Sequence, residues 1–481
     1  MSTKRQGSGV RGQGSVPAPN RNTEAPRIGA ALAAAQGGGK PRPYPFLALA
    51  MLLGLVTVPV AAETIKLTAE AVAARAVEVS HVAAGAAARL SASREIVNAA
   101  DAAALPSLSL SASLAQRSSV PEFAAPINGP LQPPLVLNPD ITTTYGTGLR
   151  LQQALYSGGA ITGQREATRH DSDASAANHA LTVAELRLNG QLAYWDAVRA
   201  AASVEVARSQ AERAKRLLDD TQALLDAGMA VNADLLAAKE RIASAHVQLI
   251  VAETAAANAI AALRSLLQIG PADGIELADS LAGPLPALPV ASDELQKQAL
   301  ARRPELAASA AQIGALRSRQ DVAGAQARPS VGAVAQFDYS RPNARYFPQQ
   351  DQWNDSWSLG LLASWTLFDG GKARADTATV QFTERAAVQD RDELTRRILL
   401  EVENNRRNLD SALAAVVAAD AARAAGVERE KDALERHAAG LAPMVEILDA
   451  QSQLAAAEQQ QINARAASWI AASVLARAIG Q

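Results

Sequence analysis

Two stretches of this 481-residue chain run unusually far without a proline: residues 160–227 and 372–439 contain 68 residues each and no proline. Alanine is the commonest residue in both, mixed with leucine, valine, arginine, glutamate and glutamine, which favours helix and lets neighbouring helices approach closely. A continuous helix of that length is about 100 Å long at 1.5 Å per residue. Because an ordinary globular core is much thinner, the pattern predicts long paired helices.

The two stretches belong to an internal repeat. Two unrelated motifs recur with one offset of 212 residues: Leu155–Gly159 as Leu367–Gly371, and Gly228 with Asp234 as Gly440 with Glu446. Two independent motifs in the same register indicate a duplication. Each half is therefore predicted as a helix, a β-hairpin, a long helix, a turn that we call the tip, and a return helix.

The repeat predicts the domain organisation. The first repeat is expected to span 63–270, with its hairpin at 107–152, and the second 292–481, with its hairpin at 330–367. Residues 271–291 are predicted to link them.

The hairpin segments alternate apolar and polar residues. Ser107–Leu114 places serines on one face and apolar side chains on the other, and residues 145–152, 331–339 and 357–366 alternate likewise, with exceptions at Val334 and Leu362. Each segment has about 10 residues, the length of a membrane-spanning barrel strand. Eleven of the 17 aromatic residues fall in windows 106–156 and 329–368, as aromatic girdles at a membrane surface would require.

The predicted fold is an α+β membrane protein, internally duplicated, with long helical hairpins and four β-strands per protomer. Four strands cannot close a barrel in a bilayer, where an open edge finds no partner. Three copies would supply 12 strands, within the even-numbered range of outer-membrane barrels. Two alternatives remain at this point: a plain coiled-coil rod explains the helices, and an antiparallel sheet packed on a helical core explains the aromatic clustering.

The first 62 residues are predicted to be an N-terminal extension and an export signal. They hold seven basic residues and one acid, followed by an apolar run at 46–58 that is too short to span a bilayer as a helix. The small residues at 60–62 make Glu63 the expected mature start. No later segment has 18 uninterrupted apolar residues, so a membrane crossing by the mature chain is expected to use strands.

Composition argues against several kinds of function. Of 46 basic and 48 acidic residues, 39 and 47 lie after the export segment, a formal net charge of −8 that disfavours a phosphate-binding surface. The chain has no cysteine, which excludes a lipid-anchored cysteine and a catalytic thiol. Gly370-Gly371-Lys372 lacks the spacing of a phosphate loop, and the five histidines form no ligand group. The sequence therefore predicts no enzyme, no cofactor and no metal site.

The order and duplication of these elements resemble the TolC family of outer-membrane channels, over essentially all of 63–481. The resemblance implies a homotrimeric barrel in the outer membrane of a Gram-negative bacterium, continuous with a helical tunnel across the periplasm. It also implies docking to a periplasmic adaptor protein and an inner-membrane pump, either an ABC transporter or a proton-driven one. The glycine pairs Gly158-Gly159 and Gly370-Gly371 are then the strand-to-helix junctions, since glycine adopts the dihedrals such a bend needs.

The resemblance also assigns roles at the tips. The adaptor is expected to dock on residues around the two turns: Gly228, Met229, Ala230, Gly440, Leu441 and Ala442. The acids at the narrowest point of the tunnel correspond to Glu446 and Asp449, and a contact closing the tip corresponds to Asp234 and His437. The family's tip arginine is replaced by Ala442. Without the resemblance, Glu446 and Asp449 can equally be two solvated acids in the first turns of a helix, where the helix dipole favours them.

The resulting functional hypothesis is a passive exit duct of a tripartite efflux or type I secretion system, with an acidic periplasmic gate. The rival hypothesis is a soluble or peripheral periplasmic coiled-coil protein of adaptor type. Drugs, metal ions and polypeptides all remain open as cargo.

Overall fold

The structure is a computed structural model that describes residues 64–126, 129, 133–271, 273–287 and 291–481. The predicted export segment at 1–62 and the predicted mature start at Glu63 lie outside these residues.

The first half of the chain contains four helices and six strands among its described residues. In chain order they are β1 (Thr64–Leu67), α1 (Ala69–Glu78), α2 (His81–Ala102), β2 (Ser107–Gln116), β3 (Phe123–Ala125), β4 (Leu135–Asn138), β5 (Thr143–Tyr156), α3 (Ala160–Asp226), α4 (Asn232–Leu267) and β6 (Gly274–Leu277). The second half repeats the main pattern. Its elements are α5 (Ser292–Arg302), α6 (Pro304–Ala325), β7 (Ser330–Arg341), β8 (Asn354–Ser364), α7 (Lys372–Ala438) and α8 (Met444–Ala478).

The long helices form as the proline-free stretches predict. Helices α3 and α7 each contain 67 residues, about 100 Å of continuous helix. Each turns back at its tip and pairs with a shorter helix, so that α3 with α4 makes a first helical hairpin and α7 with α8 a second. The break between α5 and α6 falls where Pro304, which lacks a backbone N–H, occupies the first position of α6.

The four main strands form one antiparallel sheet in the order β2-β5-β7-β8. The two halves of the chain meet in it because β5 of the first pairs with β7 of the second. Strands β2 and β8 lie at the two edges, and each pairs with a neighbour on its inner side only. The prediction of four antiparallel strands is thus confirmed. The loop between β2 and β5 also contains a small hairpin, β3 with β4, that the sequence analysis did not predict.

The strand register gives the sheet one apolar face. Leu110, Leu149, Phe337 and Trp357 are directly opposite one another on successive strands and so form one row. Leu110 and Trp357, at the edges, are 72% and 70% exposed. An apolar face so open to solvent in the single chain requires a lipid or protein environment.

The other face of the sheet is polar. The neighbouring row consists of Ser109, Arg150, Gln336 and Ser358. Arg150 Nη2 donates to Gln336 Oε1 at 3.0 Å, and Gln336 Nε2 donates to both carboxylate oxygens of Asp338 at 2.9 Å. This alternation is the one that a membrane barrel with a wet lumen needs.

Aromatic side chains lie at both ends of the sheet. At one end Trp353 stacks on Tyr339 with ring centroids 4.9 Å apart and lies 6.0 Å from Tyr145. At the other end Trp365 and Phe368 are 59% and 87% exposed. Their placement is that of two interfacial bands.

A core cluster beside the middle of α3 brings the first strand together with the segment predicted to link the two repeats. Strands β1 and β6 pair in parallel. Tyr194 of α3 is fully buried beside them: its hydroxyl donates to Leu67 O at 3.0 Å and accepts from Asp279 N at 3.0 Å. Burial raises the pKa of Tyr194 to about 12. Trp195 stacks on Trp469 of α8 at 4.8 Å, so both helical hairpins share this core.

Candidate functional site

The two strand-to-helix junctions are built on paired glycines with left-handed backbone. Gly158 and Gly159 have φ of +65° and +101°, and Gly370 and Gly371 have +69° and +89°. A side chain is strained at each of these φ values, and at Gly158 a Cβ would also lie 2.9 Å from the Cβ of Arg328. The glycine pairs thus allow the abrupt change from strand direction to helix direction that the sequence motif predicts.

The residue before each glycine pair caps the helix that follows. The Asp369 carboxylate accepts from Ala373 N at 2.7 Å and from Gly371 N at 2.8 Å. These two backbone donors hold the pKa of the Asp369 carboxyl below its usual value. In the first repeat Ser157 Oγ accepts from Ile161 N at 3.1 Å. The cap explains why the repeated motif has a serine or an aspartate at this position.

The tips of the two helical hairpins share one geometry. Gly228 and Gly440 have φ of +76° and +71° and end α3 and α7. After α3, Met229 N donates to Leu224 O and Gly228 N to Leu225 O; after α7, Leu441 N donates to Arg436 O and Gly440 N to His437 O, all at 2.8–2.9 Å. This pair of bonds is the Schellman termination, which requires a left-handed residue such as glycine.

The exposure of the tip residues corrects part of the predicted docking surface. Met229 and Leu441 are 72% and 73% exposed and project from the turns. Ala442, in contrast, is 7% exposed, and Ala230 is half-buried. Ala442 was expected to present surface, but its position leads directly into the packed start of α8. The exposed apolar surface of the tips therefore comes from larger side chains: Met229 and Val231 at the first tip, and Leu441 and Val445 at the second.

The predicted gate acids lie near the start of α8, and each is paired with an arginine of α7. Arg436 Nη1 contacts Glu446 Oε1 at 2.5 Å, and Arg429 Nη2 contacts Asp449 Oδ2 at 2.8 Å. Gln453 also donates to Asp449, at 3.0 Å. The charge of each acid is therefore compensated by an arginine of the same hairpin.

The two arginines were missed by sequence reasoning, although their spacing carried a signal. Arg429 and Arg436 are seven residues apart, about two helical turns, and therefore share one face of α7. Glu446 and Asp449 are three apart and share a face of α8. Two arginines on one face of α7 and two acids on one face of α8 predict ion pairs between the helices, because the two helices form one hairpin.

Asp234 and His437 do not contact each other within this protomer. The Asp234 carboxylate accepts from Val231 N at 3.4 Å, so it caps the start of its own helix α4. His437 Nδ1 lies 2.8 Å from Ala442 O and donates to it. The expected contact across the tip is therefore absent from a single chain, because both side chains are held by their own turns.

Known proteins share this arrangement of strands and helices. A family model described as "Outer membrane efflux protein" matches residues 75–267 and 295–481. Solved structures with the same fold include CusC, whose crystal structures concern folding and transmembrane channel formation. CusC matches with a TM-score of 0.72 and 18% identity over 86% of this chain and 92% of that one. The outer-membrane channel OprN matches with a TM-score of 0.70 and 21% identity over 86% of this chain and 89% of that one.

A third solved structure is the outer membrane protein VceC of Vibrio cholerae, with a TM-score of 0.71 and 20% identity over 86% of this chain and 96% of that one. At these identities the structural matches establish the fold. A search of curated sequences found no significant match.

Proposed function

The chain belongs to the outer membrane efflux protein family, and from this premise we propose that three copies assemble into one exit duct of a tripartite export system. Membership confirms the predicted resemblance to TolC-type channels, the location in the outer membrane, and the expectation of a transport protein rather than an enzyme. We propose in addition the trimeric assembly, the gate and the partner proteins.

The observation that carries the proposal is the sheet with two unpartnered edges and an exposed apolar face. Strands β2 and β8 each leave a row of backbone groups without a partner in the sheet, which a bilayer does not tolerate. Pairing β2 of one copy with β8 of the next removes every edge once three copies close a 12-stranded ring. The apolar rows then face lipid and the Arg150 row faces the lumen.

The outer surface of α4 supports the same assembly. Leu236, Val247, Ile250 and Val251 are 57–62% exposed on this helix. By length and composition α4 is apolar enough to cross a membrane, yet it is the antiparallel partner of the long helix α3. We place its apolar face against the neighbouring protomer in the helical tunnel.

The tips are proposed as the periplasmic end of the duct and as the docking site of an adaptor protein that connects it to an inner-membrane pump. Gly228 and Gly440 make the turns, and Met229 and Leu441 supply apolar side chains that the chain itself leaves uncovered. Such side chains need a partner surface to bury them. The cargo is proposed only as a class, namely solutes or polypeptides that fit a narrow polar tunnel.

The gate is proposed at the level of Asp234, His437, Glu446 and Asp449, with Arg429 and Arg436 as the groups that set its charge. In the assembled duct three copies of each acid would surround one aperture. Because each Glu446 and each Asp449 has its own arginine, the acids no longer act as six free charges. The charge selectivity of the aperture then depends on the balance between the four side chains.

Two measurements test the proposal. Protein purified in detergent should have the mass of a trimer by light scattering, and a stable folded monomer would contradict the assembly. In planar bilayers, changing Arg429 and Arg436 together to alanine should raise the cation-to-anion permeability ratio and strengthen block by a trivalent cation. Changing Glu446 and Asp449 together to alanine should lower both. Equal selectivity in all three proteins would place the aperture elsewhere.

A further inference from the structure

The ion pairs at the tips cannot hold the two helical hairpins of a protomer together. Both pairs, Arg429 with Asp449 and Arg436 with Glu446, join α7 to α8. They therefore lie within the second hairpin and stay intact when that hairpin moves as a unit. On the first hairpin Asp234 caps its own helix. Among the described residues, no ion pair joins the two hairpins at the level of these acids or closer to the tips. The ionic contact that resists their separation lies farther from the tips.

Arg213 of α3 makes the ionic link between the hairpins that lies nearest the tips. Its Nη2 donates to Glu458 Oε2 of α8 at 2.6 Å, and its Nη1 lies 3.4 Å from Glu458 Oε1, a two-pronged contact. Its Nε lies 3.8 Å from Oε1 of Glu430 on α7. One guanidinium thus faces carboxylates from both helices of the second hairpin. It lies 13 residues before the end of α3, about 20 Å along the helix.

This cluster is largely screened from water. The side chains of Arg213, Glu458 and Glu430 are 15%, 10% and 12% exposed, whereas the tip pairs are 33–51% exposed. Glu430 Oε1 is buried and has no hydrogen-bond partner. Low exposure weakens screening by salt, so removing the Arg213 guanidinium would leave the Glu458 and Glu430 carboxylates poorly solvated and without this ionic partner.

An apolar contact accompanies the ionic one. Leu217, one turn below Arg213 on α3, is 5% exposed and packs in a cluster with Ala433 of α7 and with Met444 and Ile447 of α8. Arg213 and Leu217 therefore present one continuous face of α3 to the second hairpin, ionic above and apolar below.

We propose that Arg213, bridging Glu458 and Glu430, is the lock that keeps the first and second hairpins together in the closed duct. The proposal rests on the channel function proposed above. Drawing α3 away from α7 and α8 breaks the Arg213 contacts but leaves the tip ion pairs intact. The lock and the charge filter of this channel are then separate devices: Arg213 sets how often the aperture opens, and the tip pairs set which ions pass.

The experiment compares single channels of wild type and Arg213→Ala in planar bilayers. The open probability of Arg213→Ala should rise at least about tenfold, as expected for loss of a contact that is nearly buried rather than exposed. Its cation-to-anion permeability ratio should stay at the wild-type value. Arg208→Ala is the matched control, since Arg208 pairs with Glu205 of the same helix at 2.8 Å and links no hairpins. An open probability within twofold of wild type in Arg213→Ala overturns the lock.

A double variant covers the case in which Arg213→Ala fails to assemble. The chain has no cysteine, so Arg213→Cys with Glu458→Cys offers one defined site for a short bis-maleimide cross-linker. The uncross-linked double variant should open frequently, and cross-linking should restore closure. Equal open probability before and after cross-linking overturns the proposal. If wild-type protein forms no channel at all, the proposed function fails and not merely the lock.

Discussion

Replacing Leu110 by arginine tests the assignment of the sheet to the membrane. Leu110 lies near the middle of β2, in the apolar row with Leu149, Phe337 and Trp357, and 72% of it is exposed in the single chain. In a barrel this side chain faces the hydrocarbon interior. Leu110→Arg would therefore force a charge into lipid.

The free-energy cost of this charge depends on how deep the side chain lies in the bilayer. A cationic side chain on the lipid face costs about 2–4 kcal/mol near the midplane, which corresponds to a folding equilibrium about 30- to 1,000-fold less favourable per copy. With three copies in a barrel, the total is about 6–12 kcal/mol. A cost of this size approaches the whole stability of an ordinary domain, about 5–15 kcal/mol.

Ser111→Arg is the matched control, one residue away and on the opposite face. Ser111 is opposite Gly148, which in turn is opposite Asp338, so the new charge would enter a polar row that already contains a carboxylate. The assay is folding into lipid vesicles, followed by the shift in gel mobility on heating. Leu110→Arg should lose most of the heat-shifted trimer, and Ser111→Arg should keep it. Equal yields of the two variants would refute the lipid-facing assignment of this row.

Three further predictions concern the tips, the Glu403 carboxylate and the strand-to-helix junction at Gly371. Met229→Glu and Leu441→Glu should abolish export by removing the apolar surface offered to an adaptor, with trimer yield unchanged in the same cells; export surviving in both would move the docking site. Glu403 has its pKa lowered to about 2 by the Ser292 hydroxyl and by Arg407 and Arg406, so its contribution to stability is present above pH 4.5 and lost as pH falls towards 2. The unfolding midpoint of wild type should therefore exceed that of Glu403→Gln at pH 6, and the difference should shrink towards pH 2; a constant difference would contradict this. Gly371→Ala should destabilise the fold by about 1–2 kcal/mol because φ is +89° there, whereas Gly324→Ala, inside helix α6 with open space around it, should stabilise by about 0.5–1 kcal/mol in thermal unfolding; the same sign for both changes would refute the backbone argument.

Much of the architecture was predictable because it depends on local patterns repeated over long distances. Proline-free stretches rich in alanine suffice for a 67-residue helix, and strict alternation suffices for a strand with two unlike faces. The duplicated Gly228 and Gly440 marked both tips, because a left-handed helix end depends on one residue. The domain boundaries and the roles of the site residues remain predictions.

The tip exposures and the acid partners were not predictable from local pattern. In the sequence, Ala230 and Ala442 resemble exposed turn residues. How deeply each is buried depends on where α4 and α8 begin to pack. Glu446 and Asp449 could be placed on one helix face, yet their pairing with Arg436 and Arg429 depends on the rotation of α7 against α8.

The sequence by itself determined the long helices, the four strands, their two faces and the repeat, since each follows from the conformational preference of short segments and its period. Only the tertiary structure decided which side chains from distant segments meet. Arg213, Glu430 and Glu458 are separated by up to 245 residues and share no motif, and they form one cluster because α3 packs against both helices of the second hairpin. An ionic contact of a few ångströms depends on the relative position of whole helices, and no local pattern carries that information.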